Sequence, residues 1–185
     1  MLPEPDTVEI DLVFALDLAC SDLAKLARFA DRFLSNNPEW MQAAHEAAQK
    51  YFNDLADMQL DDHSDQTAQQ LGLSPEQILL ANRLSLATLL GYSHYLQWAG
   101  FDIGEPTKFE EVSKKLAFAR NVIARIGFSL ALRMDSERQP PLPAQLLLSC
   151  YETGFSMGVV LGYLTVEACQ KGSEAVLDLL EQSSL

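Results

Sequence analysis

Three glycines at every fourth position, Gly154, Gly158 and Gly162, interrupt a long apolar stretch from Pro143 to Lys171. A spacing of four stacks them on one side of a helix, and Cys150, Thr165 and Cys169 extend the same stripe of small residues. Glycine inside a helix costs roughly 1 kcal/mol relative to alanine, so a run of them is best tolerated where a second backbone comes very close. The stripe therefore predicts a tightly packed helical body. It names no reaction.

The rest of the chain repeats the helical theme. Asp6 with Glu9 has the spacing of a capping box and predicts a helix to Cys20, or on to Leu34 with a break near Ser21. Asn37-Pro38 predicts a second start, followed by a buried face running from Trp40 to about Leu60. Ser74-Pro-Glu-Gln77 is the strongest cap, opening a long apolar helix that ends near Gly100. Thr107 with Glu110 predicts a helix to about Met134, which the breaker run Gln139-Pro-Pro-Leu-Pro143 terminates. Beyond it come the glycine-striped helix, closed by Gly172, and a short helix capped by Ser173 and ending near Gln182. The expected fold is all-α: one domain over residues 1–185, a bundle of six or seven helices with the glycine-striped helix central and the apolar helix near 75 to 100 as its neighbour. Leu90-Gly-Tyr92 and Leu161-Gly-Tyr163 echo each other, which reads as two core helices using one close-packing device.

Charge narrows the partners. The chain holds 26 acids and 13 Lys and Arg, a net charge of −13 at pH 7, which repels nucleic-acid phosphates and anionic membrane surfaces. Residues 1–65 carry 14 of the acids against 4 bases, whereas Lys108 to Arg138 carries seven bases against four acids. Cys20, Cys150 and Cys169 lie in apolar helical contexts without metal-ligand spacing, as small buried residues of a reducing compartment do. The acidic start of the chain lacks the basic residues of a signal peptide, and the apolar window from Leu146 to Val166 is interrupted by Glu152 and several hydroxyls and lacks a basic flank immediately outside it. A cytoplasmic protein is expected, with no membrane span and no cofactor.

Four constellations bear on chemistry. Asp65 to Ile78, with Ala68, Gly72, Ser74 and Ile78 at the characteristic positions, resembles the core of a helix-turn-helix unit. Its second helix continues Leu79, Leu80, Ala81, which suits a core and not base edges, so a plain helical corner without nucleic-acid binding is expected. Asp61-Asp-His-Ser-Asp65 is similar to the aspartate-rich motif of helical isoprenoid synthases, and the resemblance implies carboxylates holding magnesium against a diphosphate. No second such motif follows, and an acidic loop ending a helix accounts for the same residues, although acids at a helix C-terminus oppose the dipole and need compensation.

The third constellation is polar residues within apolar helices: Arg83, His94, Arg120, Arg125 and Glu152. They form either an internal ion-pair network, for instance Arg83 with Glu152, or a pocket for a small anionic amphiphile. The fourth is a partner-binding surface, in which the acids Asp54, Asp57, Asp61 and Asp62 attract a basic or apolar partner and Trp40 and Met41 anchor it. No catalytic set is recognisable. The leading expectation is a non-enzymatic acidic interaction protein, a regulator, adaptor or chaperone-like factor and a possible homodimer, followed by the anionic-ligand module and then by a divalent-metal enzyme using the aspartates.

Overall fold

The computed structural model describes residues 22–57, 74–100 and 143–182, together with Gln70 and Gly72. Among these residues there are five helices and no strand: α1 (Leu23–Asn36), α2 (Pro38–Ala56), α3 (Pro75–Trp98), α4 (Ala144–Lys171) and α5 (Ser173–Gln182). The helices expected over 6–20 and 107–134 lie outside the described residues, as do Asp61, Asp62, Arg120 and Arg125. No helix among the described residues is long and apolar enough to cross a membrane.

Local side chains set most of the boundaries. Asp22 caps α1, accepting a hydrogen bond from the Lys25 amide at 3.1 Å. One residue, Asn37, separates α1 from α2; the proline behind it excludes the helical conformation, and Asn37 accordingly sits at φ −132° and ψ 68°. Pro38 then occupies the first turn of α2, where its missing N–H leaves no bond unmade. At the start of α3 the Ser74 hydroxyl accepts from the Gln77 amide at 3.2 Å, and the Gln77 side chain accepts from the Ser74 amide at 2.7 Å. Gly172, at φ 89°, ends α4 and lets α5 begin at the next residue.

The frame is a parallel pair. Gly154 lies against Leu84, Ala87 and Thr88, Gly158 against Thr88 and Tyr92, and Gly162 against Tyr95, so residue numbers rise together along α3 and α4. At Gly158 an added Cβ would stand 1.9 Å from the Thr88 carbonyl oxygen, and at Gly91 it would stand 2.0 Å from that of Phe155. Backbones this close accept only a hydrogen there, and the Cα–H groups point at the opposite carbonyls in the manner of weak interhelical hydrogen bonds. One turn beyond the crossing, Tyr92 and Thr165 hydroxyls bond at 2.9 Å in the buried seam. The two glycines of the Leu-Gly-Tyr echo are not each other's partners: Gly91 faces Phe155 and Gly158 faces Thr88, whereas Gly162 lies against the Tyr95 side chain.

α2 runs antiparallel to both members of the pair. Its buried residues Trp40, Ala44, Ala48 and Leu55 recur at one or two helical turns, and the alanines bring its backbone into the groove. Trp40 packs on Tyr95 near the end of α3, while Leu55 shares a core cluster with Leu80 and Leu84 near its start. α1 and α5 close the other side, where Leu26, Phe29, Val176 and Leu180 meet Leu161 and Leu164 of α4. Lys25 pairs with Glu181, and Arg32 donates to the Gln182 carbonyl at 3.3 Å, fastening the two helices at their rims.

Candidate interaction surface

The first turns of α2 and the last turn of α3 come together because the two helices are antiparallel, and they assemble an aromatic cluster. Trp40 contacts Tyr95 with ring centroids 5.1 Å apart, and Trp98 edge-on at 5.4 Å; Tyr95 and Trp98 also stand 5.4 Å apart. Trp40 is buried and supports the cluster from below. Trp98 is 68% exposed, and Met41, which follows Trp40 in the chain, is 54% exposed; these are the two large apolar side chains left in solvent among the described residues. A tryptophan buries more apolar area than almost any other side chain, so leaving it outside forgoes a stabilisation of about 2 kcal/mol.

His94 borders the cluster. Its ring meets Trp40 edge-on at 6.0 Å and lies 5.7 Å from Phe155. Loss of hydration lowers its pKa below the ordinary imidazole value, and the nearby Lys50 ammonium acts in the same direction. Tyr95 is pushed up to about 12, by burial first and then by Tyr163 and Glu167. The cluster thus holds neutral rings at neutral pH.

The polar residues inside the apolar helices engage separate neighbours. Arg83 donates to the Ala56 carbonyl at 2.7 Å, at the end of α2. That end carries Asp54 and Asp57 with no base in its last turn, so the cation that the carbonyl end requires comes from α3 across the fold. Arg83 also lies beside the Tyr151 hydroxyl; burial pushes that phenol up, and the guanidinium opposes the shift. Glu152, on the side of α4 facing α2, pairs with His45. The ion pair envisaged between Arg83 and Glu152 is therefore replaced by two contacts, because α2 lies over α4 and presents His45 to the carboxylate while its own C-terminus takes the arginine. Arg83, His94 and Glu152 each engage different described neighbours.

Asp54 and Asp57 are exposed on or just beyond α2, on the same helix as Trp40 and Met41. No group of three or more metal-ligating side chains occurs among the described residues. Trp98 is the residue that sequence reasoning passed over. Its signal was its place, a large aromatic in the last turn of an apolar helix just before Ala99-Gly100, where the core face has run out. Comparison with protein-family models, with curated proteins and with solved structures returns no match.

Proposed function

We propose that this chain is a non-enzymatic interaction protein, an acidic cytoplasmic adaptor or regulator, and that the exposed Trp98 ring packed on Trp40 and Tyr95 is where it meets its partner, with Met41 exposed in the first turn of α2. The observation that carries the proposal is the exposure of Trp98 where the end of α3 meets Trp40 at the start of α2. Interfaces concentrate their binding free energy in a few tryptophans, tyrosines and arginines, and methionine adapts its shape to what docks on it. Here the exposed ring is pre-oriented by two packed neighbours, so little side-chain freedom is lost when a partner covers it. A long, glycine-tightened helix pair beneath it supplies a rigid base.

Native mass spectrometry of the protein purified from its own source, wild type against Trp98→Ala, tests this. A protein partner present with the wild type and lost from the variant is the expected outcome. A chain recovered with a small molecule or a metal ion, unaffected by the Trp98 substitution, overturns it.

A further inference from the structure

We draw no further inference here: the strongest candidate, the aromatic surface patch where Trp98 at the end of α3 stands on Trp40 and Tyr95, belongs to the site already described, and nothing in the structure shows what covers it.

Discussion

Gly91 and Gly158 stand opposite each other where α3 and α4 cross, each directed at the carbonyl oxygen three residues before the other, Phe155 for Gly91 and Thr88 for Gly158. The relationship is reciprocal because the helices run the same way, so each presents the same turn to the other. Two Cα–H contacts at such a crossing contribute about 0.5–1 kcal/mol each, but their larger effect is to let Tyr92, Val159 and Leu164 close over the seam.

Replacing Gly158 or Gly91 by alanine is accordingly expected to destabilise the fold by about 3 kcal/mol or more, since backbone atoms have to move apart to admit the methyl group. Gly158→Leu should be worse. Gly154→Ala meets its nearest atoms at 3.1 and 3.2 Å and should cost distinctly less. Urea denaturation of the three alanine variants checks the order, and a Gly158→Ala midpoint equal to that of wild type would mean that the crossing is not as tight as described.

Arg83→Met removes the cation at the end of α2 while keeping much of the side chain's volume. The expected loss is about 1.5–3 kcal/mol, the range for a hydrogen bond with a charged partner, with early fraying of the last turn of α2. Hydrogen exchange at the amides of Leu55 to Asp57 distinguishes this from a loss of packing alone, which would leave the exchange pattern along α2 uniform.

The buried phenols make stability fall in alkali. Tyr95, raised from an ordinary value of about 10 to about 12, keeps its proton in the folded state over a window in which the unfolded chain has lost it. Its contribution is complete below about pH 10 and disappears as the pH rises through the folded value. Tyr92, Tyr151 and Tyr163 are shifted the same way, burial being the first cause in each, so their effects accumulate. Denaturation midpoints measured from neutral pH into alkali should drop steeply above about pH 10, less so in Tyr95→Phe. A slope identical in wild type and variant would count against a buried Tyr95.

Neutralising Asp54, Asp57, Asp61 and Asp62 to asparagine is expected to leave the fold intact and to slow association with the partner. Charges at a rim steer encounter more than they hold the complex, so the on-rate and its salt dependence should change before the dissociation rate does. Surface plasmon resonance at two salt concentrations separates the two. An unchanged on-rate at low salt would remove the acids from the working surface.

What the sequence by itself determined is local. Asn37-Pro38, the Ser74–Gln77 capping box and Gly172 each place a helix end correctly, because a cap acts on the free amides and carbonyls of one turn and carries its information in three or four neighbouring residues. Asp22 did the same for α1 but was read only as a break near Ser21. The adjacency of α3 and α4 also followed from composition, since two helices apolar on most sides have to cover each other. Only the tertiary structure decided that the pair is parallel, that Gly91 answers Gly158, that Arg83 reaches the end of α2 while Glu152 turns to His45, and that Trp98 remains in solvent. Helical periodicity fixes which face of a helix is apolar, but not the direction of its neighbour or the point along its axis at which the covering stops. Those depend on contacts between residues far apart in the chain, and they put Trp98 at the place where α2 begins and the cover over α3 ends.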